Sequence, residues 1–176
     1  MEKNKSCFIA HFREEDNKEQ SLWEHLDGTS KLASKNASKI GLEKSGELIG
    51  LMHDIGKATE LFDQYIRSAV GLIDPDEDDY LSVDGYQGKI DHSSAGAQLI
   101  YNYLEPKGGQ ESIAAQFLAL SVASHHSGII DCLTPGGMNK YEARMKKAFE
   151  LTRVDEAKAN LDSTINDRIY ARSEEH

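Results

Sequence analysis

An apolar run, Leu48-Ile49-Gly50-Leu51-Met52, leads directly into His53-Asp54-Ile55-Gly56-Lys57. Its periodicity predicts a helix over residues 45–55 that is apolar nearly all round, which suits the central helix of a domain. A His-Asp pair at the end of a buried helix is costly unless partners coordinate it, so the fold must bring polar groups to that point. The two side chains stand about 100 degrees apart around the helix axis. Candidate partners are His25 upstream and His92, His125 and His126 downstream.

The rest of the chain reads as helices around this one. Residues 21–41 form the first, since Leu22, His25, Leu26, Thr29, Leu32, Ala33, Ala37 and Ile40 recur at steps of three and four, with Gly41 as its stop. His25 then lies on the inward stripe, away from the face made by Lys31, Lys35 and Lys39. Gly56 allows a turn after the His-Asp pair, and a helix over 59–70 follows with Leu61, Phe62, Tyr65 and Ile66 inward. Residues 71–90 hold Gly71, Pro75, Gly85 and Gly88 and read as a long loop of a kind that is often functional. Asp91 or Ser93 caps a helix over 94–104, with His92 at its N-terminus, where the dipole disfavours imidazolium. Residues 112–125 make another core helix that ends at His125-His126-Ser127-Gly128. After Pro135-Gly136-Gly137 come helices over 140–151, with Met145 and Phe149 as a thin apolar edge, and over 154–169. No strand system is evident. The fold class is all-α, a helical bundle forming a single domain over residues 1–176.

Composition narrows the functional classes. A chain of this length can bury roughly 70% of the surface exposed when unfolded, so it needs no staples. Cys7 and Cys132 are the only cysteines and lack metal-type spacing, and no signal peptide or membrane-length apolar run is present. These features predict a cytoplasmic protein with reduced thiols and no membrane partner. Acidic side chains number 30 against 20 basic ones, for a net charge of −10, which argues against gripping long duplex DNA through the chain's own surface. A polyanionic substrate would need local positive charge, which two divalent ions would supply and Lys57 or Arg67 could extend. The cluster Asp74-Pro75-Asp76-Glu77-Asp78-Asp79 lacks the ligand pattern of a calcium loop and reads as solvated.

Neutral imidazole suits borderline transition metals, and a carboxylate can offer one oxygen to each of two ions. Asp54 is the natural bridge. Two metals about 3.5 to 4 Å apart can generate hydroxide from water and neutralise the attacking and leaving oxygens of a phosphodiester. Phosphoester hydrolysis is thus the leading reaction class.

Four stretches, Glu24-His25-Leu26, Gly50-Leu51-Met52-His53-Asp54-Ile55-Gly56-Lys57-Ala58-Thr59, Asp91-His92-Ser93-Ser94-Ala95-Gly96-Ala97 and Ser124-His125-His126-Ser127-Gly128, occur in this order. The set resembles the HD superfamily of metal-dependent phosphohydrolases and, within it, the HD nuclease domain of type I CRISPR systems. The opening Ile9-Ala10-His11-Phe12-Arg13-Glu14 and Gly41-Leu42 resemble its subtype C branch. The resemblance implies an HD-domain bundle in which His25, His53 and Asp54 hold one metal and Asp54, His92, His125 and His126 hold the other. It places Lys57 beside the cluster, where its ammonium can orient a phosphate oxygen. His11 resembles a position outside the main ligand set and reads as structural.

The implied activity is cleavage of single-stranded DNA, endonucleolytic and exonucleolytic, in CRISPR antiviral defence. Its partners would be an RNA-guided surveillance complex and a helicase, in the same full-length chain or as a separate subunit. Imidazole-rich coordination suits iron, cobalt, nickel, copper or zinc more than magnesium, and the bridging carboxylate also admits manganese. One departure stands out: the family supplies a further aspartate to the first metal from a later Asp-rich motif, whereas Asp155, Asp162 and Asp167 lie in unmatched, charged sequence. No Walker-type loop follows either, so the chain reads as an N-terminal fragment of a longer helicase-nuclease. The alternatives are an HD phosphohydrolase acting on a nucleotide or cyclic nucleotide, which would need a closed pocket rather than an open groove, and a degenerate metal- or partner-binding HD module.

Overall fold

The computed structural model describes residues 8–86, 90–126 and 128–174; Cys7, Gly88 and Ser127 lie outside them. Two strands, β1 (Ile9–Arg13) and β2 (Lys18–Ser21), precede α1 (Leu22–Ala37), α2 (Glu43–Met52), α3 (Glu60–Ala69), α4 (Val83–Tyr86), α5 (Ser93–Leu104), α6 (Gly109–Ser124), α7 (Lys140–Met145), α8 (Phe149–Thr152), α9 (Val154–Ala159) and α10 (Ser163–Ser173). The helical bundle is as expected. The antiparallel hairpin is not, because a short polar strand such as Lys18-Glu19-Gln20-Ser21 carries no apolar alternation to betray it.

Ser21 closes the hairpin and opens α1 through a capping box, its hydroxyl accepting from the Glu24 amide and the Glu24 carboxylate accepting from the Ser21 amide. The helix ends earlier than its periodicity suggests. A 3-10 turn over Ser38–Ile40 follows, and Gly41 stops the chain at φ +73°. The buried face departs from expectation in part: Leu22 and Leu26 are buried as expected, Ser30 joins them, and Leu32 and Ile40 do not. A methyl on Gly50 would lie 2.5 Å from Ser30 Cα, and one on Gly46 would lie 2.6 Å from the Ala33 carbonyl oxygen. Because α2 lies this close, Ser30 is buried at the crossing while Leu32 and Ile40 are exposed.

Around that pair the core is continuous. Leu22 and Leu26 of α1 and Leu48, Leu51 and Met52 of α2 join Ala95, Ile100 and Leu104 of α5 and Ala115, Leu118 and Val122 of α6 in one cluster. The later helices are more broken than periodicity implies. The side-chain amide of the fully buried Gln98 donates to the carbonyls of Arg144, Met145 and Lys147 at 3.1, 3.2 and 2.7 Å, which satisfies the end of α7 and separates it from α8. Asp162 accepts from the Thr164 amide and starts α10 afresh after α9. The acidic segment 74–79 is exposed, as expected, and residues 71–90 include the short α4. Among the described residues no helix is long and apolar enough to cross a membrane.

The last helix is pinned by charge. Arg168 reaches Asp27 Oδ1 at 2.7 Å, Ser30 Oγ at 2.9 Å and Glu47 Oε1 at 2.8 Å, while Arg172 reaches Glu47 Oε2 at 2.7 Å. Burial works against the Glu47 carboxylate, but the two guanidiniums outweigh it and hold its pKa below the ordinary value. A lowered folded-state value means stability that is present above the unfolded value of 4.5 and is lost as pH falls through the folded one. Glu47→Gln is expected to cost about 2 kcal/mol at neutral pH, the scale of hydrogen bonds to charged groups. Urea unfolding should show the gap between variant and parent closing as the pH drops below 4.5.

Candidate metal centre

Three helix ends and the hairpin converge on one carboxylate. His53 caps the C-terminus of α2, Asp54 precedes a 3-10 turn over Ile55–Lys57, His92 stands at the N-terminus of α5, and His125 and His126 follow the C-terminus of α6. The His-Asp pair thus sits just beyond the helix rather than inside its predicted end. Two close backbone approaches make the convergence possible. A methyl on Gly56 would lie 2.1 Å from the His92 carbonyl oxygen, and one on Gly96 would lie 1.9 Å from the Met52 carbonyl oxygen. These motif glycines bring α5 against the end of α2.

The two oxygens of Asp54 face different sets of side chains. Oδ2 lies 3.0 Å from His25 Nε2, 3.2 Å from His53 Nε2 and 3.0 Å from Lys57 Nζ. Oδ1 lies 3.2 Å from His125 Nε2 and 3.7 Å from His92 Nε2. The His92 and His126 Nε2 atoms are 2.5 Å apart, and those of His25 and His53 are 3.0 Å apart. Every residue the sequence analysis proposed as a ligand is therefore in this cluster.

Asp54 is 3% exposed, so its charge must be compensated locally. The rings are oriented from behind. His53 Nδ1 donates to the Gly50 carbonyl at 2.9 Å, His125 Nδ1 to that of Val122 at 2.7 Å, and His92 Nδ1 faces that of Ile90 at 3.4 Å. Neutral rings bonded this way turn Nε2 lone pairs toward the carboxylate and toward one another. Such an arrangement is repulsive unless positive charge sits between the groups, as ring protons or metal ions. Burial opposes the Asp54 carboxylate, yet His125, His25 and His53, where their Nε2 atoms carry a proton, hold it ionised far below the usual range. Burial pushes His92 down to about 4 and also lowers His126, so these rings resist providing the proton themselves. Metal bonds of about 2.0 to 2.1 Å place neighbouring ligand atoms about 3 Å apart, which is the spacing found around Oδ2. The donor set fits a transition metal.

Two combinations could hold an ion: Asp54 with His92, His125 and His126, and Asp54 with His25 and His11. The second adds a residue that sequence reasoning set aside as structural. His11 lies on β1 with its ring centroid 4.6 Å from that of His25. Strand pairing is irregular between Ile9 and His11, and the Ala10 carbonyl between them accepts from Lys57 Nζ at 3.2 Å. Irregularities of this kind re-aim side chains next to functional sites. The signal for His11 depended on seeing the hairpin. Lys57 itself is buried at 5% exposure, joining Asp54 to the hairpin, and is no surface lysine. Arg67 instead pairs with Asp63 at 2.7 Å. Asp155 and Asp167 are exposed, and Asp162 caps α10. None of the three is in either metal-capable group.

Gly56→Ala tests the close approach. It is expected to destabilise the protein by about 1 to 3 kcal/mol, the usual cost of overpacking, and to lower the affinity for added manganese, both read by thermal unfolding with and without the metal.

The family model described as Cas3, HD domain matches residues 11–172. No curated protein and no solved structure matches the chain. The match runs from His11 on the hairpin to Arg172 on the last helix and includes every residue of the cluster, and so the chain belongs to the Cas3 HD-domain family, a CRISPR-associated nuclease domain.

Proposed function

We propose that the protein cleaves single-stranded DNA by two-metal phosphodiester hydrolysis during CRISPR interference. The observation that carries this reading is the division of labour across Asp54: one oxygen among His25, His53 and Lys57, the other facing His125 and His92. His25, His53 and Asp54, joined by His11, would hold one ion, and Asp54, His92, His125 and His126 the other. When bound, such a pair supplies a nucleophile from water and neutralises charge on the attacking and leaving oxygens.

The chain's own residues organise that chemistry. Asp54 keeps its negative charge through its buried contacts and ties the two ligand sets together. The backbone carbonyls of Gly50, Val122 and Ile90 fix which nitrogen each of His53, His125 and His92 presents. Lys57 balances Asp54 and holds the strand carrying His11, and its ammonium adds positive charge where a phosphate oxygen would approach.

Shape favours a strand over a small nucleotide. Two open grooves adjoin the cluster: one of about 480 Å³ lined by His11, Arg13, Lys18 and Glu24 among others, and one of about 450 Å³ lined by His92, His126, Arg144 and Lys147 among others. The net charge of −10 agrees with a division in which a helicase and an RNA-guided surveillance complex in the cytoplasm deliver the strand. A longer helicase-nuclease containing this domain, and its subtype C branch, belong to the same proposal. Iron, manganese, cobalt, nickel and zinc are the proposed metals.

The test is cleavage of circular single-stranded DNA by chelator-stripped protein with each metal added in turn, beside a panel of nucleotides and cyclic nucleotides. Metal-dependent nicking is expected, reduced at least about a thousandfold in Asp54→Ala while the circular dichroism spectrum is unchanged. Nucleotide turnover without nicking would overturn the DNA reading. Nicking that survives in Asp54→Ala would overturn the metal mechanism.

A further inference from the structure

The candidate ligands on the Oδ1 side of Asp54 come from the ends of two different helices. His92 stands at the start of α5, and His125 and His126 at the end of α6. One side chain from a third helix touches both. Arg144 of α7 donates from Nη1 to the Ala123 carbonyl at 2.5 Å and to Ser93 Oγ at 3.2 Å. Ala123 precedes His125 by two residues, and Ser93 follows His92 directly.

Both contacts suit the groups they meet. The last carbonyls of a helix lack intrahelical partners and attract a cation, which is what Arg144 offers to α6. At α5 the neighbouring Lys147 completes the brace. Lys147 Nζ lies 2.7 Å from Asp91 Oδ2, and the same Asp91 side chain accepts from the Ser94 amide at 3.0 Å and the Ser94 hydroxyl at 2.8 Å. Burial works against the Asp91 carboxylate, but Lys147 and Ser94 outweigh it and keep it ionised. Gln98 anchors the brace from within α5 through its three bonds to the backbone of residues 144–147, and its own oxygen accepts from Thr152 Oγ1 at 2.6 Å. The guanidinium is thus fixed at its root as well as at its head.

We infer that Arg144 is the positioning residue of the Oδ1 subsite: it sets the distance between His92 and the His125-His126 pair, and ion occupancy there depends on it more than on the Oδ2 side. The inference rests on the two-metal reading of the cluster. It assigns Arg144 no contact with the reacting atoms. The brace is legible only in three dimensions, because Arg144 lies 51 residues from Ser93 and 21 from Ala123.

The experiment is a titration of manganese alone into the chelator-stripped 176-residue chain, followed by chelator competition and electron paramagnetic resonance, for the parent, Arg144→Met and Ser93→Ala. Two equivalents with a spin-coupled signal are expected in the parent. Arg144→Met should weaken one equivalent about 10-fold, the lower end of what losing an outer partner of a ligand costs, because Arg144 acts on the helix ends and not on a ligand ring. The other should stay within about threefold, with the coupled signal replaced by that of an isolated ion. Ser93→Ala, which keeps the bond to Ala123, should weaken the same equivalent less and decides the matter if Arg144→Met does not fold. Two unchanged equivalents in a folded variant, or equal weakening of both, would overturn the role of Arg144 alone. A parent that takes up no manganese would overturn the metal-centre reading and this inference with it.

Discussion

A carboxylate that is 3% exposed and ringed by imidazoles is the interaction on which this structure turns. Asp54 cannot be buried in isolation, since a lone charge in an apolar interior costs several kcal/mol even after relaxation. Each neighbour that makes its burial tolerable comes from a different element: His25 from α1, His53 from the end of α2, Lys57 from the following turn, His92 from α5 and His125 from α6. The electrostatic requirement and the topology are therefore one problem. Folding that failed to bring these elements together would leave the charge uncompensated.

Packing solves the same problem from the other side. The crossing of α1 and α2 is tight because Gly46 and Gly50 carry no side chain, and this sets His25 opposite His53. Gly56 and Gly96 do the same for α5 against the end of α2, setting His92 opposite Asp54. At the periphery, charged side chains take over: Arg168 and Arg172 pair with Glu47 and hold α10, while Lys147 pairs with Asp91 and Arg144 donates to the Ser93 hydroxyl, holding α7 on the start of α5. The centre is thus assembled by backbone contact and braced by charge from elements that contribute no ligand.

Much of this was legible in the sequence, for physical reasons that differ by element. Helices with an apolar stripe, such as α3 and α5, were predicted almost to the residue, because periodicity and a cap coincide at Thr59 and near Asp91. The cluster residues His25, His53, Asp54, His92, His125 and His126 were legible as candidate ligands because they sit in ordered motifs. The hairpin was not, and nothing else in the sequence stood against the reading of His11 as structural, which rested on its place outside the main ligand set. Nor were the breaks at residues 146–148 and 160–162, which arise from Gln98 and Asp162 acting on the backbone rather than from any lapse in periodicity. Leu32 and Ile40 fit the helical stripe yet face outward, since the stripe cannot report which neighbour lies at the crossing.

The Cas3 HD-domain family supplies the nuclease class, and the geometry around Asp54 supplies the reason two ions rather than one are proposed. The central claim is that each carboxylate oxygen belongs to a separate metal. Anomalous scattering from crystals grown with manganese measures this directly. The account predicts two peaks about 3.5 to 4 Å apart, one on the His25 and His53 side of Asp54 and one on the His92, His125 and His126 side. A single peak, or peaks that leave Asp54 bound to neither ion, would contradict it.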